Sequence, residues 1–359
     1  MTPEPLRAIV TCTGGRGGIN TIQSLRLIPN HDVFVLGVDV YPETIDFSMV
    51  DWLEKIPWPS DPSFVSRIRE LVLQYRIDII YPLAASELIV LLKERDSIPC
   101  IIPADNVERI IIANDKGLLY PYLREHGVRS PDSVLCSSVI DLKKAVYKLG
   151  YPNKKLVVKP RDGSGCRGFH ILDASINPTK VFTSERPGYT SLRWEDIEVL
   201  LEDPLPELVV MDFLEGIDYT CYAIVEKGEP FCVIPLRRSG LVPGMSLGGT
   251  VEYNQTLIDY ITQICRAFRF RGFVNVQLML TDSGPLVYEI NPRISATTIA
   301  CTAAGVNVPF LLYELFAKGN IRAPDIAWNT QVRRQYQELF CLEGNDRFLT
   351  LEDMFRAKG

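Results

Sequence analysis

The sequence predicts an α/β region at the amino terminus followed by an α+β region, and two patterns indicate this division. In the first third of the chain, apolar runs alternate with segments whose apolar residues recur at helical spacing, as over residues 64–75. Strands and helices that alternate in this way form parallel sheets covered on both faces. From residue 156 onwards, the runs are paired across short turns, which is typical of antiparallel hairpins.

The elements follow from these patterns in order. In the first region we expect strands at residues 7–13, 32–39 and 77–82 and helices at residues 19–28, 64–75 and 87–95. A helix over residues 114–126 ends at Gly127 and Pro131. In the second region we expect a helix at residues 257–268 and strands at residues 156–159, 169–172, 208–213, 219–225, 273–280 and 286–290. Residues 332–341 are a further candidate strand.

Composition excludes several classes of protein. The chain has 359 residues, of which 47% are hydrophobic and 23% charged, with a net charge of −6. These values are typical of a folded protein and argue against a dedicated nucleic-acid binder, which usually carries a basic surface. The apolar runs are far shorter than the roughly 20 residues that span a bilayer, and no secretory signal is visible. We therefore expect no membrane partner and no nucleic-acid partner.

Cysteine and histidine usage points away from disulfide, zinc and triad chemistry. The nine cysteines are scattered without a C-x-x-C motif, which favours a reducing cytoplasmic environment. The three histidines, at positions 31, 126 and 170, lie far apart in the sequence. Nothing in their spacing suggests a catalytic triad or a histidine-rich metal site.

Two glycine-rich segments need different interpretations. Residues 14–18 lack the dinucleotide fingerprint, because Asn20 stands where its third glycine is required, and a tight strand-to-helix turn is favoured. Gly163, Gly165 and Gly168 do match G-x-G-x-x-G, but this loop runs from strand to strand. Such a hairpin can fold over phosphates as a lid, with Lys159 as a point charge. An ordinary flexible hairpin remains the alternative.

A hairpin near residue 283 carries the most specific signal. A three-residue loop at residues 282–284 places Gln277 opposite Glu289 on one face and Asn275 opposite Asn291. The other face is apolar, and its expected pairs are Val276–Ile290, Leu278–Tyr288 and Leu280–Leu286. A slip of one residue would bury the polar set, so the register is strongly specified.

The polar face of this hairpin predicts a metal–phosphate site. Oxygen ligands from Gln277, Glu289 and Asn291 suit magnesium, which shares its coordination with phosphates and water. Arg293 follows directly and is placed to neutralise charge on a transferred phosphoryl group. A solvated polar sheet face is the alternative interpretation.

These motifs together resemble the ATP-grasp superfamily, most closely its carbamoyl-phosphate-synthase-like carboxylate–amine ligases. The resemblance is specific at residues 157–165, 275–277 and 289–293 and extends more weakly from the N-terminal glycine turn to about Gly319. It implies a Rossmann-like pre-ATP-grasp domain followed by a two-lobed ATP-grasp fold. The implied domains are a pre-ATP-grasp domain over residues 1–112, a small lobe with the lid over 113–212, a large lobe with the metal site over 213–320 and an extension over 321–359.

The resemblance also implies roles for individual residues. The implied ATP-binding set is Lys116, Lys159, Gly163, Ser164, Gly165, Gly168, Met211, Asp212, Phe213, Leu214 and Asp218. Within it, both lysines contact phosphates, residues 211–214 meet adenine, and Asp218 meets the ribose hydroxyls. The implied metal ligands are Gln277, Glu289 and Asn291. Two positions depart from the commonest family pattern, because Gln277 and Asp218 each stand where glutamate is more usual.

The implied activity is ADP-forming ligation. A substrate carboxylate attacks the γ-phosphate of ATP, assisted by Lys159 and Arg293, and an amine or similar nucleophile then attacks the acylphosphate. The implied cofactors are ATP and about two magnesium ions, for which manganese is a possible substitute. The expected partners are small-molecule carboxylates and amines, and a second copy of the chain in a homodimer. Two alternatives remain open: a bicarbonate- or carbamate-activating enzyme, and a catalytically silent ATP-binding regulator.

Substrate residues are less clearly indicated. The candidates to bind a substrate carboxylate with two guanidinium groups are Arg237 and Arg238. They lie beside a stretch at residues 240–249 that we expect to be flexible. An exposed basic turn is an equally good interpretation. Glu87 follows the third predicted strand, near the carboxyl edge where ligands gather in such sheets, but an acid at a helix start is favoured there.

Overall fold

The structure is a computed structural model of the chain and contains three β-sheets with flanking helices. It describes residues 5–29, 31–42, 49–104, 106–162, 167–184, 191–242, 245–319, 321–335, 338–341 and 349–356. The sheets follow one another along the chain.

The first sheet is parallel and four-stranded. Its strands are β1 (Leu6–Thr11), β2 (Val33–Asp39), β3 (Trp52–Lys55) and β4 (Ile79–Tyr81), in the order β3-β2-β1-β4. The helices of this part are α1 (Arg16–Arg26), α2 (Phe64–Tyr75), α3 (Ala85–Lys93), a 3₁₀ turn (Arg95–Ser97) and α4 (Val107–Asn114). The three strands expected in this region are confirmed. Strand β3, a short edge strand on which Trp52 is exposed, was not predicted.

The second sheet is five-stranded and mostly antiparallel. Its strands are β5 (Ser133–Cys136), β6 (Leu156–Pro160), β7 (His170–Leu172), β8 (Ser191–Leu192) and β9 (Leu208–Asp212), in the order β5-β9-β6-β7-β8. The accompanying helices are α5 (Lys116–Glu125), α6 (Val139–Lys148), α7 (Pro178–Ser184) and α8 (Trp194–Glu198). Strands β6 and β7 pair antiparallel, with Val158 opposite His170. The second glycine loop therefore connects strand to strand, as expected.

The third sheet is six-stranded and antiparallel. Its strands are β10 (Ile217–Glu226), β11 (Glu229–Val242), β12 (Met245–Val251), β13 (Gly272–Thr281), β14 (Gly284–Asn291) and β15 (Gln331–Arg333), in the order β14-β13-β10-β11-β12-β15. The remaining helices are α9 (Gln255–Phe268), α10 (Ile299–Ala303), α11 (Val308–Lys318) and α12 (Leu351–Arg356). The strand expected at residues 332–341 is confined to β15 in the described part of that segment.

The expectation of a flexible stretch at residues 240–249 is wrong for its described residues, all of which lie in β11 and β12. Its glycines allow close approach of neighbouring strands. A Cβ on Gly249 would lie 2.7 Å from the carbonyl oxygen of Arg237, and one on Gly248 would lie 2.8 Å from that of Val332. These glycines are required because the neighbouring strands lie close together, and they do not indicate a flexible loop.

The β13–β14 hairpin confirms part of the expected register. Asn275 pairs with Asn291, Val276 with Ile290 and Gln277 with Glu289. The opposite face at this end is apolar as expected, because Val276 and Ile290 are buried in the core under α9.

Nearer the turn, the expected register is wrong. Leu278 pairs with Val287 instead of Tyr288, and Leu280 pairs with Pro285 instead of Leu286. The turn closes at Thr281, whose hydroxyl donates to the carbonyl oxygen of Gly284 at 2.7 Å, so the loop has two residues instead of three. A β-bulge absorbs the difference at Tyr288.

Two hydrophobic cores cover the two faces of the third sheet. One of them joins that sheet to the first sheet and to α10 and α11, and it includes Tyr222 and Leu236. The other packs α5 and α9 against the opposite face. Successive residues of a strand point to opposite faces, so Thr220, two residues from Tyr222, shares the face of the first core. Thr220 also pairs with Gln277, which places the polar row on that face.

No helix in the described ranges is long and apolar enough to cross a membrane.

The first glycine-rich turn generates a stability prediction. A Cβ on Gly18 would lie 2.4 Å from the carbonyl oxygen of Thr13, whereas one on Gly17 would meet no heavy atom closer than 3.6 Å. We expect Gly18→Ala to lower the free energy of unfolding by about 1–3 kcal/mol, because backbone must move. Gly17→Ala is the matched control and should be neutral or stabilising, since alanine favours the helix. Equal denaturant midpoints for the two variants would contradict this turn geometry.

Candidate functional site

The polar row on the third sheet brings together the amides and the carboxylate that the sequence singled out. Gln277 and Glu289 are cross-strand partners, and Asn275 and Asn291 form the next pair along the hairpin. Asn275 and Asn291 are buried, at 1% and 7% exposure. The side-chain oxygen of Asn275 has no hydrogen-bond partner. Because a buried polar atom is normally satisfied, this row has spare acceptor capacity for a ligand.

The donor set in this row fits a hard cation. Amide and carboxylate oxygens are the ligands magnesium prefers, and magnesium usually takes only one or two carboxylates from the protein. In the described ranges no three His, Cys, Asp or Glu residues converge as a metal cage. Glu289 is the carboxylate of the row, so any cation here would depend on further oxygens from a substrate or water.

Lys159 is held beside this row. It lies in β6, is 7% exposed, and its ammonium donates to the Tyr120 hydroxyl at 2.9 Å and to the Tyr288 carbonyl oxygen at 3.0 Å. The Tyr120 hydroxyl in turn donates to the same carbonyl at 2.7 Å. Burial raises the pKa of Tyr120 well above its usual value, and the nearby Glu289 carboxylate adds to this effect. The Lys159 ammonium therefore contacts the bulge residue, Tyr288, which directly precedes Glu289 in β14.

Lys116 lies at the first turn of α5 and is buried at 8% exposure, which is unusual for lysine. Asp115 caps this helix by accepting from the backbone N–H groups of Gly117 and Leu118. The guanidinium of Arg161 binds Asp115 in a fork at 2.7–2.8 Å. This fork ties the start of α5 to the first residues of the glycine loop.

The glycine loop itself is described only at its ends. Gly163, Ser164 and Gly165 lie outside the described residues. Gly168 adopts a φ of +68°, and a Cβ there would lie 2.7 Å from Cγ of Pro160. Glycine is therefore required where the chain turns back into β7.

The segment expected to meet adenine, residues 211–214, ends β9. Met211 is buried, and the backbone N–H groups of Asp212 and Phe213 donate to the carbonyl oxygens of Asp132 and Lys155 at 3.3 and 3.2 Å. Two of its N–H groups are therefore engaged within the protein. Contact with a base would have to use carbonyl oxygens of this segment or the Leu214 amide.

Asp218 forms a buried network with Arg238 and Tyr288. Nη1 of Arg238 donates to the two carboxylate oxygens at 3.2 and 2.9 Å, and the Tyr288 hydroxyl donates to Oδ1 at 2.9 Å. Both charged side chains are 12% exposed. Burial raises the pKa of Asp218, while Arg238 and Tyr288 oppose this rise.

The two arginines of the candidate carboxylate fork do not converge. Adjacent strand residues point to opposite faces. Arg238 contacts Asp218, whereas Arg237 donates to Glu252 at 2.7 Å, and Glu252 also accepts from the Tyr219 hydroxyl. The structure therefore does not allow both guanidinium groups to bind one carboxylate.

Arg293 extends from the end of β14 into a buried space. Its Nε has no hydrogen-bond partner, and Nη1 donates to the Ile294 carbonyl oxygen at 3.3 Å. Burial lowers the pKa of this guanidinium, and the charges of Glu289 and Glu87 partly offset that effect. An enclosed cation with an unused donor is suited to binding an anion.

Glu87 lies at the start of α3, which confirms its interpretation as a helix-start acid: it accepts from the Ala84 backbone N–H at 3.2 Å. It also accepts from the Thr11 hydroxyl at 2.5 Å and the Cys12 thiol at 3.5 Å, at the carboxyl end of β1. Burial raises the pKa of Glu87. Glu87 therefore lies at the edge of the first sheet where its strands have their carboxyl ends, and its charge acts on the Arg293 guanidinium.

Sequence reasoning missed Tyr120 and Tyr288, which connect these groups. Each is an aromatic residue in an apolar segment, so the pattern favours a core role. The one available signal for Tyr288 was its position next to Glu289 in the hairpin.

Part of the chain is similar in sequence to known proteins. Residues 204–338 match the family model for an ATP-grasp in the biosynthetic pathway with Ter operon. The carbamoyl phosphate synthase large chain of Caldanaerobacter subterraneus is 25% identical over 217 residues, 57% of this chain and 19% of that protein. That of Halobacterium salinarum is 26% identical over 253 residues, 68% of this chain and 22% of that protein. The chain thus spans about a fifth of these relatives.

Solved structures show the same fold. An L-amino acid ligase from Bacillus licheniformis superposes with a TM-score of 0.61 at 13% identity, covering 86% of this chain and 73% of that one. An N5-carboxyaminoimidazole ribonucleotide synthetase in complex with ADP gives 0.67 at 12% identity, covering 92% and 81%. The biotin carboxylase domain of a Hydrogenobacter thermophilus 2-oxoglutarate carboxylase gives 0.67 at 15%, covering 91% and 74%.

The contacts of Tyr120 generate a prediction. Tyr120→Phe leaves the Lys159 ammonium with one fewer acceptor in a buried site, so we expect the free energy of unfolding to fall by about 1–3 kcal/mol. The control is Tyr147→Phe, which removes a hydroxyl from a side chain that is 45% exposed and should stay within about 0.5 kcal/mol of the parent. Denaturant titration measures both. Indistinguishable midpoints would contradict the buried contact.

Proposed function

We propose that this chain carries an ATP-grasp domain related to that of the carbamoyl phosphate synthase large chain and that it is an ADP-forming carboxylate–amine ligase. One observation supports this most: Gln277 and Glu289 face each other on the hairpin while the carbonyl oxygen of Tyr288 holds the Lys159 ammonium beside them. Oxygen ligands and a cation at this spacing suit a nucleotide's phosphates.

The residues divide by role. We assign Lys116 and Lys159 to the phosphates of ATP and residues 211–214 to adenine. Asp218 is assigned to the ribose hydroxyls, and the glycines of the second loop to a lid. Gln277, Glu289 and Asn291 would hold magnesium, which neutralises phosphate charge when bound. Residues 1–112, 113–212, 213–320 and 321–359 are proposed as pre-ATP-grasp domain, small lobe, large lobe and extension.

The proposed reaction has two steps. A carboxylate oxygen of the substrate bonds to the γ-phosphorus as the bond to the bridging oxygen breaks, so that ADP leaves. Lys159 and Arg293 stabilise the charge that spreads over the transferred group. An amine then attacks the acyl carbon, phosphate leaves, and the amine loses a proton. Lid closure by the glycine loop would exclude water, which competes for the acylphosphate.

A second candidate is activation of bicarbonate or carbamate. The similarity to carbamoyl phosphate synthase large chains favours it, although this chain spans about a fifth of those proteins. The two candidates differ in their co-substrate: ADP release that rises with bicarbonate and needs no organic carboxylate would favour this one.

A coupled ADP-release assay over paired carboxylates and amines tests the proposed function. For the active pair, we expect Glu289→Gln to reduce ADP release by about 100-fold or more, because the row would lose its carboxylate. The control is Glu314→Gln, which removes a carboxylate from the exposed Lys318 pair on α11 and should leave the rate unchanged.

Two outcomes would contradict the proposal. Near-normal ADP release by Glu289→Gln would contradict the assignment of Glu289 to a metal–phosphate site. Tight binding of MgATP without ADP release across the whole panel and with bicarbonate would indicate a nucleotide-binding regulator instead.

A further inference from the structure

Tyr288 connects both sides of the proposed nucleotide site. Its backbone carbonyl oxygen accepts from the Lys159 ammonium at 3.0 Å, on the side assigned to the phosphates. Its hydroxyl donates to Oδ1 of Asp218 at 2.9 Å, on the side assigned to the ribose. One residue thus contacts two groups that lie on different sheets.

The β-bulge makes these contacts possible. In an unbroken register Tyr288 would stand opposite Leu278, whose side chain is fully buried on the apolar face. Val287 takes that position instead and is equally buried, which leaves Tyr288 as the extra residue of the bulge. Bulges commonly re-aim one side chain in this way.

The environment of Asp218 depends on the Tyr288 hydroxyl. The carboxylate accepts two contacts from Nη1 of Arg238 and one from Tyr288, and the same Nη1 also donates to the tyrosine hydroxyl at 2.9 Å. An ionised carboxylate has about four acceptor positions, so capacity remains for another hydroxyl. The three partners are largely buried, which restricts the orientation of the acid.

We propose that Tyr288 is a positioning residue for nucleotide recognition: its hydroxyl orients Asp218 toward the ribose hydroxyls, while its carbonyl oxygen fixes Lys159 on the phosphate side. This inference rests on the proposed function and adds a determinant of sugar specificity. Loss of the hydroxyl should remove one of the contacts that orient Asp218 but leave Lys159 in place, because the backbone carbonyl is unchanged.

The opposite face of the sheet provides a matched control. There the Tyr219 hydroxyl donates to Glu252 at 3.0 Å, and Arg237 donates to the same carboxylate at 2.7 Å. The chemical group lost in Tyr219→Phe is the same as in Tyr288→Phe, and it again donates to a carboxylate that also binds an arginine. Tyr219 has no part in the proposed nucleotide site.

The experiment compares binding of MgADP and of its 2′-deoxyribose analogue by calorimetry, which needs no knowledge of the carboxylate or amine. We expect the parent to prefer MgADP by about tenfold, the value of one hydrogen bond to a charged group. Tyr288→Phe should reduce this preference to about threefold or less, whereas Tyr219→Phe should keep it. Thermal unfolding checks that both variants are folded, as retention of the ring leads us to expect.

A double variant tests whether Tyr288 acts through Asp218. Asp218→Asn should also lose the sugar preference, and adding Tyr288→Phe should cause no further loss. Additive losses would overturn a positioning role. Retention of the full preference by Tyr288→Phe, or equal binding of the two nucleotides by the parent, would also overturn it. If the parent bound neither nucleotide, the proposed function itself would fall.

Discussion

The register of the β13–β14 hairpin is the constraint on which the candidate site depends. Period-two alternation places Gln277 opposite Glu289 and Asn275 opposite Asn291, while the reverse face seals the core under α9. A slip of one residue would turn amides and a carboxylate into that core, at the cost of burying polar groups without partners. Burial of the apolar face therefore determines the register that brings the polar side chains together on the other face.

The bulge adds a second function to the same hairpin. In a regular register the Tyr288 side chain would stand opposite Leu278 on the apolar face. The carbonyl oxygen of Tyr288 accepts from Lys159 and Tyr120, which belong to the part of the chain that precedes the third sheet. These polar contacts thus join the second and third sheets at the position that we propose for the nucleotide. Arg293 and Glu87 extend this polar region toward the first sheet.

Strands β1, β2 and β4, helices α1, α2 and α9, the strand-to-strand glycine loop and the central hairpin pairs could be predicted, because each rests on local periodicity or turn chemistry. The bulge could not, since no local turn or periodicity marks it and the residues that Tyr288 contacts, Asp218 and Lys159, are distant in the sequence. The β11–β12 pair was missed because glycines that permit close strand packing resemble a flexible stretch. Burial of Lys116 was equally invisible, because side-chain type alone favours exposure for lysine.

The most direct test is a crystal structure grown with a non-hydrolysable ATP analogue and manganese, whose anomalous signal locates the metal. The account predicts manganese bound by the Glu289 carboxylate together with at least one of the Gln277 and Asn291 amide oxygens, with the Lys159 ammonium on a phosphate. A nucleotide bound elsewhere, or a metal that touches none of these three side chains, would contradict it.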